Sequence, residues 1–289
     1  AYFAPNTSID TGAAERYAAN RLTVVRQVHT KTGAIPDMVL AVNGLPVATL
    51  ELKNAMSATG WTVENAKSQY RFERNPKDPL FAFKNRCLVH FAVDTEQVFM
   101  TTHLEGKSTF FLPFNRGVNH GAGNPPVEGD VRTAYLWREV LERDSLMDIL
   151  ARFLHLQVEE KTVVTEKGIK RHRKETLIFP RYHQLDAVRS LTQHAKAKGS
   201  GHNYLVQHSA GSGKSNSIAW LAHRLSSLHD ANNEKVFHSV VVITDRRVLD
   251  QQLQNTIFQF EHKLGVVQKI DENTQQLAKA LADGVPIII

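Results

Sequence analysis

The chain has 289 residues, 42% of them hydrophobic and 22% charged, with a formal net charge of +6 and a pI near 9.4. This is an ordinary globular composition and excludes a disordered or low-complexity polypeptide. A lone cysteine, Cys87, excludes an internal disulfide framework, and no stretch of 18 apolar residues reads as a membrane span.

The length is a prior for about two domains. The start carries no basic segment followed by an apolar core, so no secretory signal is read and a cytoplasmic protein is expected. The basic excess suits a polyanionic partner. Fourteen histidines show no metal-ligand spacing backed by cysteines, so no zinc site is expected. The chain begins at Ala1 and ends on Ile287, Ile288 and Ile289. That β-branched run reads as a strand cut before its loop, and a piece of a longer chain is expected.

In chain order, a short helix is predicted over 13–22 and a strand over 24–28. Next comes IPDMVLAVNGLPVATLELKN (35–54), two apolar runs around Asn43-Gly44. Both turn residues tolerate positive φ, so the segment reads as a β-hairpin. A helix is expected over 61–73 with Thr62 as N-cap, then strands over 87–93 and 97–101. The Gly/Asn/Pro-rich stretch 115–129 is a loop. A helix is predicted from 134 to about 156, its apolar stripe running from Leu136 to Phe153. Residues 161–174, KTVVTEKGIKRHRK, are charged and read as an exposed connection. The predicted division is therefore 1–160, a basic linker over 161–175, and 176–289. In the second part, helices over 180–194, 215–228, 247–260 and 274–282 alternate with strands over 203–208, 240–244 and 285–289. All-apolar strands alternating with helices predict a parallel sheet covered on both faces. The fold class expected for the whole is α/β.

HSAGSGKS, 208–215, lies between a predicted strand and a predicted helix. It fits the phosphate-loop pattern G-x4-G-K-[ST] except that His208 replaces the first glycine. Gly211 and Gly213 let the backbone curl, so that N–H groups of Ser209, Ala210, Gly211, Ser212 and Gly213 can face phosphate oxygens. The following helix adds the partial positive charge of its N-terminus. Lys214 would reach the terminal phosphates of ATP and Ser215 would hold Mg²⁺. Upstream, Arg181 and Gln184 fall three apart on a predicted helix, where Arg can stack on a base and Gln can read an adenine edge. Downstream, Arg246 and Arg247 either pair with nucleic-acid phosphates or solvate the next helix.

The hairpin poses a choice. In the bland reading its second strand carries Glu51 and Lys53 to the surface. Alternation instead places Glu51 and Lys53 on one face and Leu50 and Leu52 on the core face, with Asp37 opposite on the partner strand. Two close carboxylates repel unless a cation sits between them. Asp37, Glu51 and the Leu52 carbonyl would offer oxygen ligands to Mg²⁺, which lowers the pKa of a bound water, and Lys53 could stabilise developing negative charge.

Pro36-Asp37 with Glu51-Leu52-Lys53 resembles the PD-(D/E)xK nuclease core. Nucleases of the RecB type add Gln-x3-Tyr on the next helix. Here Gln69 and Tyr70 are adjacent, so the pattern is not met and Gln69 is the nearest equivalent. Glu15 is the candidate for the acid that such nucleases carry on an N-terminal helix. FPRYHQ before the phosphate loop resembles the adenine-reading motif of superfamily 2 helicases, and VVVITDRRVLDQQL after it resembles helicase motif Ia. With NGLPVATLELKN, LVHFAVDTEQVFMTT, FLPFNRG, GAGNPP and QHSAGSGKSNSIAWLAHRLSSLH, the chain resembles the restriction (R) subunit of type I restriction–modification enzymes throughout.

That resemblance implies a PD-(D/E)xK domain followed by a RecA-like motor, with Mg²⁺ and ATP as cofactors. It also implies double-stranded DNA as substrate, and methyltransferase and specificity subunits as partners. Cleavage would be coupled to ATP-driven translocation. The alternatives are a DNA-repair helicase–nuclease, or a nucleotide-regulated DNA-binding module with an inert nuclease domain. No DEAH-like box follows the phosphate loop within these residues, so this stretch alone is expected not to hydrolyse ATP productively. The run Lys167–Lys174 reads as a solvated linker or as a DNA contact, which salt dependence would separate.

Overall fold

The computed structural model describes residues 2–5, 9–58, 60–119, 121–165, 168–245, 247–260, 265–271 and 273–289. It has two compact units, residues 1–4 with 15–182, and residues 5–14 with 183–289. After helix α1 (Thr11–Ala18), strand β1 (Leu22–Arg26) opens a mixed sheet. The predicted hairpin follows as β2 (Met38–Val42) and β3 (Leu45–Leu52). Asn43 at φ 51° and Gly44 at φ 81° form its turn, as two left-handed residues must for the strands to keep their twist.

Helix α2 (Val63–Phe72) crosses over to β4 (Val89–Val93), which runs parallel to β3, and β5 (Val98–Thr101) and β6 (Leu112–Pro113) complete the sheet. The strand order is β1-β2-β3-β4-β5-β6, antiparallel throughout except for the β3/β4 pair. Thr62 is the N-cap of α2, and its N–H is taken by Asn65 Oδ1 at 2.9 Å. Buried Asp94, just past β4, accepts the Val63 N–H at 2.7 Å and so fixes the helix start to the sheet.

Alternation sorts the β-sheet residues. Val39, Thr49, His90 and Ala92 share the face that α2 covers, packing with Val63, Ala66, Tyr70 and Phe81. Leu50, Phe91 and Met100 share the other, where Phe91 meets Phe114 and Phe179 edge-on. Both faces are therefore buried, not only the leucine face.

The helix predicted over 134–156 is interrupted. A single π turn, Leu136–Val140, precedes α3 (Arg143–Arg152), with Glu142 as the N-cap that accepts the Asp144 and Ser145 N–H groups. A side chain competing for backbone donors at 142 explains the break. Residues 161–165 and 168–175, expected as an exposed connection, lie instead in an antiparallel hairpin of β7 (His155–Thr165) and β8 (Gly168–Ile178). At the base of this hairpin, Thr102 Oγ1 donates to Leu177 O at 2.7 Å and Lys84 pairs with Glu175. The first unit accordingly extends to Tyr182. The β-branched run Thr162–Thr165 in KTVVT carries that strand signal, set against the charges around it.

The second unit holds α4 (Tyr182–Lys198, mostly in this unit), α5 (Lys214–Ser226), β9 (Val240–Val241), α6 (Arg247–Gln259), β10 (Val267–Gln268), α7 (Thr274–Ala282) and β11 (Ile287–Ile288). Its sheet is parallel, in the order β10-β11-β9. Its core joins α5 to α6, with Trp220 edge-on to Phe260 and with Leu253 and Ile257 buried. One expected strand does not form, and the covering of the sheet holds for its central strand only. Residues 203–208 pair with no described strand, leaving Leu205 91% exposed, because a strand persists only where its backbone groups find a neighbour. β11, the central strand, is covered on both faces, with Ile287 and Ile288 both buried, whereas the edge strand β9 leaves Val241 45% exposed.

Candidate functional site

In the first unit, the register Met38↔Leu50 places Asp37 beside Glu51 at the next step along the ladder. Asp37 Oδ2 accepts the Leu52 N–H at 2.8 Å, and Lys53 Nζ stands 3.8 Å from the same oxygen. The hairpin thus brings Asp37, Glu51 and Lys53 together, as alternation predicts. Glu51, however, is fully buried rather than carried to the surface.

What makes that burial tolerable is a residue the sequence did not single out. Arg74, just past the C-cap of α2, donates from Nε to Glu51 Oε1 at 2.6 Å and from Nη2 to the Ile35 carbonyl at 3.1 Å. Burial pushes the Glu51 carboxyl up to about 7, against the hydrogen bond and charge of Arg74, while Asp37 adds to the rise and Lys53 opposes it. No periodic or motif signal marks Arg74, because its partner lies 23 residues away and only the crossover of α2 onto β3 joins them.

Around this centre, Tyr70 reaches the Thr49 hydroxyl at 2.9 Å, and His90 Nδ1 lies 2.8 Å from the same oxygen. Desolvation holds the His90 imidazole down to about 3, so it stays neutral and structural. Tyr70 is raised well above its ordinary value, chiefly by burial. Gln69 lies on α2, and its Oε1 is buried without a hydrogen-bond partner, as is Glu51 Oε2. Lys53 Nζ also lies 5.5 Å from the centre of the half-exposed Trp61 ring. Glu15 stands exposed on α1, outside the hydrogen bonds and ion pairs described for this cluster.

Oxygen donors are what a hard divalent cation takes, and Glu51 Oε2 and, on α2, Gln69 Oε1 are buried without partners. Asp37, Glu51, Gln69 and the Leu52 carbonyl are oxygen donors of the kind such an ion takes. Among the described residues no group of three or more His, Cys, Asp or Glu is arranged to hold a metal, so the carboxylates of this set would need the amide and carbonyl oxygens.

In the second unit the loop before α5 curls as its glycines require. Gly211 sits at φ 73°, and Gly213, the N-cap, at φ 81°. Lys214 Nζ donates to the carbonyls of His208 and Ser209 at 3.2 and 2.8 Å, folding the lysine back onto the start of the loop. Two consecutive α4 side chains hold the other end. His183 Nε2 lies 3.1 Å from Ser212 O, and Gln184 Nε2 donates to Gly213 O at 2.9 Å. A Cβ at Gly213 would collide with the Gln184 amide. Gln184 is therefore buried against the loop, and Arg181 precedes the first residue of α4 rather than sharing a helix face with it. Helix start at Tyr182 follows from Pro180, which disfavours helical backbone before it and withholds a donor. Ser215 lies in the first turn of α5. Arg246 lies outside the described residues, and Arg247 is the first residue of α6.

Residues 8–109 match the family model for the type I restriction enzyme R protein N terminus, and residues 183–289 match that for the SWI2/SNF2 ATPase. Among curated proteins, the chain is 25% identical over 276 residues to the type I restriction enzyme HindI endonuclease subunit of Haemophilus influenzae, covering 93% of this chain and 24% of that protein. It is 27% identical over 234 residues to a Methanocaldococcus jannaschii protein named as the MjaVIIIP endonuclease subunit of a type I restriction enzyme, covering 79% of this chain and 20% of that one. The chain thus spans about a quarter or less of the length of these relatives. No solved structure matches it. No described helix is long and apolar enough to cross a membrane.

Proposed function

We propose that this chain belongs to the family of type I restriction enzyme R subunits, whose N-terminal model and curated members it resembles, and that its first unit cuts double-stranded DNA at Asp37, Glu51 and Lys53. The second unit, matched by an ATPase family, is read as a nucleotide-binding part of the motor that moves the DNA. The observation that carries the cutting site is the approach of Lys53 Nζ to Asp37 Oδ2 beside a buried Glu51 with an unpaired Oε2. A PD-(D/E)xK core accounts for that arrangement and for the order β2-β3-α2-β4, with β3 parallel to β4.

Each residue has a part. Asp37 and Glu51, with the Leu52 carbonyl and Gln69 Oε1, would hold Mg²⁺. When bound, the ion supplies an activated water and neutralises charge on the scissile phosphate. Lys53, its ammonium tethered by Asp37 and resting near Trp61, offers a donor to the attacking water or to the developing negative charge. In the second unit, Lys214, Ser215 and the loop N–H groups would hold ATP and its Mg²⁺, with Gln184 linking α4 to the loop. Methyltransferase and specificity subunits as partners, and a cytoplasmic site of action, follow from the family reading.

The test is Mg²⁺-dependent nicking of plasmid DNA by wild type and by Asp37→Ala and Lys53→Ala. Loss of activity in both, with the fold retained, is expected. Cutting by both variants at the wild-type rate would remove the proposed site.

A further inference from the structure

The cutting site already contains a cation. Glu51 is fully buried, Arg74 is 5% exposed at its side chain, and their atoms meet at 2.6 Å. Arg74 is also anchored by the Ile35 carbonyl, two residues before Asp37, which accepts from Nη2. Its third nitrogen, Nη1, faces the exposed Glu73 at 3.9 Å. Within the cluster, two carboxylates (Asp37 and Glu51) are matched by two cations (Lys53 and Arg74). The proposed divalent ion would enter a site whose charge is balanced, next to a guanidinium held in place by a backbone carbonyl.

We infer that Arg74 is the resident counter-ion of Glu51 and competes with a divalent cation for that carboxylate. This rests on the cutting-site reading of Asp37, Glu51 and Lys53. A dication and a guanidinium sharing one buried carboxylate repel strongly, because water is not there to screen them. The site is consequently a weak metal binder by itself. An approaching DNA phosphate restores the missing negative charge, so metal and DNA enter together and the free protein carries little of the loaded, cutting-competent state. Gln69 Oε1 and Glu51 Oε2, both buried and without hydrogen-bond partners, are the oxygens left for the ion.

The experiment titrates Mn²⁺ into the full chain without DNA, following free Mn²⁺ by electron paramagnetic resonance. Wild type is compared with Arg74→Gln, Arg74→Lys and, as a site control, Asp37→Asn. Removing the guanidinium charge is expected to tighten Mn²⁺ binding about ten-fold or more, with Arg74→Lys staying within about two-fold of wild type. Equal or weaker binding by a folded Arg74→Gln overturns the inference and leaves the cutting-site reading standing. Failure of folded Arg74→Gln as well as wild type to bind Mn²⁺ at a site lost on adding Asp37→Asn overturns both. Should Arg74→Gln not fold, the wild type still decides. Its Arg74 Nε–H resonance should shift on Mg²⁺ saturation as the carboxylate is contested, and an unmoved resonance at saturation overturns the inference.

Discussion

Arg74→Gln should destabilise the first unit in a pH-dependent way. The variant leaves Glu51 buried without its cation, and removing one partner of a buried pair costs about 3–5 kcal/mol when the other stays charged. Glu51 can escape part of that cost by taking a proton. In wild type its folded value is already about 7, above the unfolded value of about 4.3. The sign follows. The folded state holds the proton more tightly, so this contribution is full below the unfolded value and is lost as pH rises to about 7, at roughly 1.4 kcal/mol per pH unit. Without Arg74 the folded value climbs further and the loss continues above pH 7. The penalty of Arg74→Gln should therefore grow by about 2 kcal/mol between about pH 6 and pH 8.5. Guanidinium unfolding at the two pH values, followed by circular dichroism, measures it. Adding Glu51→Gln should recover most of the loss at high pH, since two neutral amides need no counter-charge. A penalty equal at both pH values would refute the idea that Arg74 serves to offset the Glu51 charge.

Three further outcomes are expected. Asp94→Ala removes the acceptor for the Val63, Glu96 and Gln97 N–H groups and should cost about 2–3 kcal/mol in chemical denaturation. Lys214→Ala should weaken ATP binding about ten-fold or more, read by fluorescence of a labelled nucleotide, with thermal stability of the nucleotide-free chain little changed. Gly213→Ala, with φ at 81° and the Gln184 amide in its way, should cost about 1–3 kcal/mol and abolish nucleotide binding. If Gly213→Ala binds normally, the α4 side chains do not set the shape of the loop.

The sequence by itself determined the local pieces of both candidate sites. Asn43-Gly44 dictates the hairpin turn, alternation puts Thr49, Glu51 and Lys53 on one face, and paired glycines before a helix dictate the phosphate loop, because each depends on backbone preferences of neighbouring residues. Tertiary structure alone decided the rest. α2 buries the charged face of β3 and delivers Arg74 to Glu51. The β7–β8 hairpin gives each half of a charged segment the other as its strand partner, and α4 turns Gln184 inward onto Gly213 O. Residues 203–208 show the same dependence in reverse, since their apolar run carries a strand preference but no described neighbour takes up its hydrogen bonds. A carboxylate's environment, and a strand's survival, are set by what packs against them from elsewhere in the chain, and that information is not carried in local periodicity.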